Sequence, residues 1–464
     1  MFLDFMNDHA DELIADLAEL VAVDSVRGEE APGAPYGKGP RAALETAERI
    51  AKKYGFDAEV RGDRVLCVEY GEGEPALAIL AHLDVVPVGT GWKMTEPFKA
   101  ALKDGVLYGR GVADDKGPAV ASLYALRALR ENGIGLGKKV QLLLGSDEEC
   151  GSSDIDWYLK NYKMPPMVFT PDGDFPVVNT EKGRIEAYMD APAGDAPNGA
   201  YIVSLIGGTA VNAVPGEARA TLRFVPDEQI IAAMNYCSFF DADFDIESKN
   251  GPDTTVVCRG KASHGSLPEL GVNAVSALLK CILAIPLADC AGLRSLMALN
   301  DALPFGDTCG MTIGAYCEDE ESGGLTVNLG MMDYSVDGGL HAGLDCRVPC
   351  CGDGDEVMRR LDDALKGCGI TVTVRDQVAP HKEPADGEFV QKLLKIYEDY
   401  TGEKGETLSM GGLTYVHEVE GGVAFGCTFP GREPRMHEPD ENIPLADLIL
   451  AGAMYGRAAA ELCK

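Results

Sequence analysis

Three short apolar runs, Ala76–Ala81, Val140–Leu144 and Met167–Thr170, flank one amphipathic helical stretch, Gly117–Asn132. The runs read as strands and "GPAVASLYALRALREN" reads as the helix between the first two, so the order strand, helix, strand predicts an α/β sheet with parallel members. In such sheets ligands gather just beyond the carboxyl ends of the strands. The residues that follow each run therefore carry the functional question. After the first comes "HLDVVPVGTGW", after the second "DEECGSSD", and after the third "PDGDFP".

The middle of the chain has a different texture. From about Lys182 to about Pro380 a loop-like "APAGDAPNGA" precedes β-rich runs ("ARATLRF", "TTVVCRG", "GLTVNLG", "ITVTVRD") and helices near Asn273–Ile285 and Asp355–Lys366. This predicts a separate α+β domain. From about His381 the α/β texture returns, with a helix at Glu388–Tyr400, a short strand at Gly422–Gly426 and a final helix after Pro444. The expected division is 1–181, 182–380 and 381–464. Chain order alone leaves open whether the last segment rejoins the first.

A chain of 464 residues with 46% hydrophobic residues can bury a sizeable core. Its net charge of −33 argues against nucleic acid and against anionic membranes, because both demand clustered Lys and Arg. The 14 cysteines are scattered without a CxxC pair, which points to reduced thiols in a cytoplasmic protein. At the N-terminus, Leu13, Ile14, Leu17, Leu20 and Val21 recur at helical spacing behind Asp4, Asp8 and Asp11. That stretch reads as an amphipathic helix rather than a signal peptide, and no apolar run reaches membrane-spanning length.

Taken singly, the polar residues at the strand ends have ordinary explanations. His82-x-Asp84 is a common pattern, Asp114 and Asp115 suit a helix N-terminus, and Asp147-Glu148-Glu149 would pass for a solvated loop. Together with Asp172 and with His437 in "MHEPDE" they form a different picture. Four of these groups follow strands or open a helix of one α/β unit, where they could converge at one sheet edge. A cluster of His and carboxylate without thiolates suits a pair of divalent cations such as Zn²⁺, Mn²⁺ or Co²⁺. One extra carboxylate could act as general base on a metal-bound water.

In the same order along the chain, "HLDVVP", "YGRGVADDKGP", "DEECGS", "TPDGDFP" and "MHEPDE" resemble the five metal-site motifs of the M20 metallopeptidases. The match is nearest to the PepV-like (Xaa-His) dipeptidases, and includes "GGVAFGCTFPGRE" ahead of the last His. The resemblance implies an M20-type catalytic domain, in segments 1–181 and 381–464, with an inserted α+β lid over 182–380. It makes His82 and Asp172 ligands of one metal, Glu149 and His437 ligands of the second, and Asp114 the bridge. Asp84 would orient His82, and Glu148 would be the general base toward a hydroxide bridging the two ions. Zn²⁺ is the first expectation for the metal.

In the lid, "GKASHGS" resembles the segment whose His, here His264, faces the oxyanion. Asn212 in "GGTAVNAVP" and Arg347 in "LDCRVP" match substrate-holding positions, the Arg pairing with a carboxylate through its planar fork. Gly411, Gly412 and Thr414 in "MGGLTYVHE" match a Gly-rich substrate loop, with the Leu-Thr-Tyr order shifted from the usual Gly-Gly-Thr-Tyr. His9, His341, His381 and His417 read as packing or surface residues, Asp147 as a neighbour that is either solvated or supports the ligands from behind, and Cys150 as no activated nucleophile. The implied function is hydrolysis of dipeptides with free termini by a protein that resembles monomeric forms. Its rivals are an N-acyl amino acid deacylase on the same scaffold and a non-catalytic binding protein.

Overall fold

The computed structural model of the chain describes residues 1–464, which separate into two compact units. The first comprises Met1–Thr180, Lys382–Ser409 and Leu413–Lys464; the second comprises Glu181–His381 with Met410–Gly412.

The first unit is built on a mixed sheet. Its strands Pro75–His82, Lys139–Gly145 and Met167–Thr170 run parallel, and Gly422–Ala424 adds a fourth parallel member beside Met167–Thr170. The last segment of the chain thus returns to the sheet built by the first. Apolar side chains alternate between two cores: Leu77, Ile79 and Ala81 face one cluster, Ala78 and Leu80 the other. Both faces are covered, which is why these strands are continuously apolar rather than alternating. On one side lie the helices Lys116–Glu131 and Leu445–Leu462, which pack against each other.

Two features differ from expectation. The N-terminal stretch is two helices, Phe2–Asp8 and Ala10–Val21, broken at His9, whose ring stacks on Phe5 at 4.0 Å. An antiparallel pair, Asp57–Arg61 and Val65–Tyr70, extends the sheet past Lys139–Gly145. Its outer strand, "DAEVR", escapes a search for apolar runs because it is mostly polar, whereas "VLCVEY" is an apolar run that carried the signal.

The second unit carries an eight-stranded antiparallel sheet. Its order is Asp243–Asn250, Asp253–Arg259, Glu217–Arg223, Tyr201–Gly207, Thr326–Ser335, Gly339–Val348, Gly183–Ala191 and Thr371–Val378. One face is covered by helices that include Ala274–Leu283, Ala291–Ala302 and Gly354–Leu365, and Ile185, Ala187 and Met189 point into that core. Alternation along Gly183–Ala191 is the expected mark of a sheet with one buried face. No helix of the chain is long and apolar enough to cross a membrane.

Candidate metal centre

Register decides what meets at the carboxyl edge of the first unit's sheet. His82 is the last residue of its strand and pairs with Gly145 of the neighbouring strand. The turn Glu148–Cys150 therefore begins beside the imidazole, although 66 positions separate the two in sequence. Asp115, just ahead of the helix Lys116–Glu131, accepts the His82 backbone N–H at 3.1 Å and so brings Asp114 to the same edge.

Two donor groups result, and they share one carboxylate. His82 Nε2 lies 2.9 Å from Asp114 Oδ1 and 3.7 Å from Asp172 Oδ2. His437 Nε2 lies 3.0 Å from Asp114 Oδ2 and 3.1 Å from Glu149 Oε2. Glu148 also joins His82 and Asp172 in a set whose candidate donor atoms lie within 4.8 Å of one another. A tetrahedral ion with ligands about 2.0–2.2 Å away needs donors roughly 3.3–3.6 Å apart. The observed spacings bracket that range, and the donors are N and O alone, so the residues fit borderline or hard divalent cations.

The electrostatics follow from packing so many charges together. Burial would depress the His82 imidazole, but the Asp114 and Asp84 carboxylates outweigh it and hold it well above its usual range. Burial likewise opposes the charge on His437, yet Asp114 and Glu149 push it up to about 11. Asp114 is held low despite its burial because both imidazoles donate to it. Burial, with neighbouring carboxylates, raises Asp172 to about 7 and Glu148 well above an ordinary Glu.

Asp84 makes contacts that its spacing from His82 did not reveal. The His82 Nδ1 hydrogen bond of 3.0 Å goes to the Asp84 backbone carbonyl, while the carboxylate stands 3.5 Å from that nitrogen. The carboxylate instead accepts the backbone N–H groups of Glu148 (3.2 Å) and Glu149 (3.1 Å). It thus ties the imidazole strand to the acidic turn.

Asp147 is not solvated. It is 0% exposed, accepts from Ser153 Oγ and the Ser153 backbone N–H, and pairs with Arg27. The triplet therefore divides its labour: Asp147 builds the turn while Glu148 and Glu149 face the donor groups. Asp154 was missed altogether. It is buried, accepts from the Ser146 N–H (2.5 Å), the Asp147 N–H (3.1 Å) and Tyr415 Oη (2.5 Å), and burial raises its carboxyl to about 7. Tyr415 in turn sets its ring edge-on to His82 at 6.2 Å.

Within the second unit, four of the expected substrate residues are brought together. The Gly265 N–H donates to Asn212 O at 2.7 Å, and Asn328 Nδ2 holds the carbonyls on either side, of Val211 and Ala213. A Cβ on Gly265 would come within 2.7 Å of Asp345 Oδ2 and of the Asn212 carbonyl carbon, so only glycine lets the backbone beside His264 pass this close to them. Asp345 accepts from Arg347 Nε at 3.1 Å, and Arg347 Nη1 donates to Gly411 O at 2.7 Å. His264 Nδ1 accepts the Ser266 backbone N–H at 3.2 Å. An N–H can only donate, so the neutral ring carries its proton on Nε2. Gly412 belongs to the same unit as Gly411, whereas Thr414 belongs to the first unit, is buried, and caps the short turn Tyr415–Glu418.

His9 and His341 sit in packing and surface contacts, the latter paired with Asp190 at 2.7 Å. The Cys150 thiol is pushed up by burial rather than activated.

Residues 78–461 match the model of peptidase family M20/M25/M40. The Bacillus subtilis protein YtjP is 34% identical over 459 residues, covering 98% of each chain. The Beta-Ala-Xaa dipeptidase of Lactobacillus delbrueckii subsp. lactis is 33% identical over 464 residues, covering 98% of this chain and 96% of that one. Human carnosine dipeptidase 1 shares the fold at a TM-score of 0.60 and 14% identity, covering 100% of this chain and 98% of that one.

Proposed function

The chain belongs to peptidase family M20/M25/M40, and from that premise we propose that it is a metal-dependent dipeptidase of the PepV-like (Xaa-His) branch, acting on dipeptides with free termini. The observation that carries the reading is Asp114, whose two oxygens each face a different imidazole, with Glu148 beside them. The likeness to a Beta-Ala-Xaa dipeptidase along nearly the whole chain supports the branch and the substrate class.

In this reading His82 and Asp172 hold one divalent cation, His437 and Glu149 the other, and Asp114 both. When bound, the pair supplies Lewis acidity toward the scissile carbonyl and acidifies water. Zn²⁺ suits two imidazoles among carboxylates, with Mn²⁺ or Co²⁺ as alternatives. Glu148 takes a proton from the attacking water on its carboxylate and passes it to the leaving amine nitrogen. Asp84 keeps Glu148 in place through the backbone of the turn. In the second unit, Nε2–H of His264 donates to the developing oxyanion, and Arg347 and Asn212 take the substrate carboxylate. Gly411, Gly412 and Thr414 border the substrate. Scattered cysteines favour a cytoplasmic protein, and the resemblance of its long lid segment to monomeric forms favours a monomer working on small peptides.

A hydrolysis screen tests the reading. Metal-free protein should be inactive and regain dipeptide hydrolysis on addition of Zn²⁺, Mn²⁺ or Co²⁺. Faster turnover of N-acetyl amino acids than of dipeptides would replace it with the deacylase. Full activity in the metal-free state would end it.

A further inference from the structure

His437 reaches the donor cluster from a loop whose backbone is unfavourable by itself. Three of its residues other than glycine, Arg435, His437 and Asp440, have φ of 56°, 64° and 61°, in the left-handed region that L side chains rarely adopt. His437 is 50% exposed, so burial of its own side chain does little to impose that conformation. What fixes the loop lies at its C-terminal end. The Asn442 N–H donates to Pro434 O at 2.9 Å and closes the neck. Asp440 Oδ1 accepts the backbone N–H groups of Lys93 and Met94, both at 2.8 Å.

Glu441 does more. Its side chain is 0% exposed. Oε1 accepts the N–H groups of Gly111 (3.0 Å), Ala113 (3.0 Å) and Asp114 (3.2 Å), and Oε2 accepts from Arg110 Nη1 at 2.7 Å. The Arg110 guanidinium lies over the Trp92 ring at 5.5 Å. One carboxylate thus binds the backbone that presents Asp114, and it stands four residues beyond His437.

We propose that Glu441 is a positioning residue for the donor set His437, Glu149 and Asp114, joining the loop of one ligand to the loop of another so that the second cation meets preassembled donors. The proposal rests on the dinuclear reading above. His82 and Asp172 leave strands that Glu441 does not touch, and the first donor set depends on Glu441 only through the shared Asp114, so it should lose less affinity than the second when Glu441 is changed. A role limited to neutralising Arg110 would predict no such split between the sets.

Metal-free full-length protein titrated with Co²⁺, followed by visible absorption and by equilibrium dialysis, tests this. The parent should take up two equivalents. Contacts that orient ligands commonly contribute 10- to 100-fold in metal affinity. Glu441→Ala should therefore weaken one binding step by roughly that factor and the other, which shares only Asp114 with it, by clearly less. Glu441→Gln keeps an acceptor oxygen for the backbone N–H groups and should recover part of the loss; it also serves if the Ala variant does not fold. The double variant Glu441→Ala/His437→Ala should lose less than the sum of the two single losses, because both changes act on one donor set. Two parent-like steps in Glu441→Ala, or equal weakening of both steps, would overturn the proposal. A parent that takes up no Co²⁺ would instead overturn the dinuclear reading, and this proposal with it.

Discussion

Glu148 and Glu149 are adjacent and chemically identical, yet their surroundings divide them. Glu149 contacts His437, whereas Glu148 groups with His82 and Asp172 and is the more strongly raised by burial. Glu148→Gln keeps the shape and removes the proton acceptor. It should cost roughly 10²–10⁴ in kcat while metal content stays near that of the parent. Glu149→Ala should lower metal occupancy. Metal analysis of both variants beside their kinetics checks this, and the reverse pattern would exchange the two roles. Asp154 gives a separate prediction, on stability. Burial lifts its carboxyl from 3.8 to about 7, so between those values the folded chain holds a proton that the unfolded chain has released. Stability from this group is therefore greatest at low pH and falls as pH rises from about 4 to about 7, by at most about 4 kcal/mol. Asp154→Asn cannot titrate. Chemical denaturation in the presence of chelator should show the difference in stability between parent and variant shifting in the variant's favour across that window; a constant difference would refute the assignment.

At the scale of elements, the parallel strands were legible because both their faces are buried and their sequences are continuously apolar. The contacts between elements were not. Asp84 and Asp154 hold the acidic turn through backbone N–H groups, and which N–H groups they meet depends on the pairing of His82 with Gly145, not on any local spacing. Which of two readings of Asp147 holds, solvated or supporting the ligands from behind, was hidden for the same reason, since its partner Arg27 lies 120 positions earlier. Gly145 shows how tightly that junction is packed. A Cβ there would fall on the Tyr415 hydroxyl and within 2.5 Å of Asp154 Oδ2. Gly145→Ala should force Tyr415 and Asp154 apart and loosen the turn that carries Glu148. Overpacking of this kind costs about 1–3 kcal/mol, readable as a lowered denaturation midpoint accompanied by a loss of kcat. An unchanged midpoint would mean that the junction has room to spare.

For the molecule as a whole, composition argued against nucleic acid and anionic membrane partners, and the motifs at the strand ends led to the family. The substrate residues proposed for the second unit were legible only through resemblance, because an Asn, a His and an Arg on separate strands and loops carry no shared pattern. The structure gives these residues mutual contacts, and from them a prediction about substrate length follows. Arg347 spends two of its five N–H groups on Asp345 and Gly411, which fixes the fork and leaves donors for a substrate carboxylate. In a dipeptide that carboxylate lies one residue from the scissile bond. Amidation removes its charge, and a third residue moves the charge out of reach. A hydrogen bond to a charged group contributes about 1.5–3 kcal/mol, so the dipeptide amide should lose roughly 10- to 100-fold in kcat/KM. Arg347→Ala should lower dipeptide turnover and bring dipeptide and amide to similar rates. That ratio separates recognition from damage, because a merely destabilised variant would lose both substrates in proportion. Equal turnover of dipeptide and amide by the parent would show that Arg347 does not read the carboxylate.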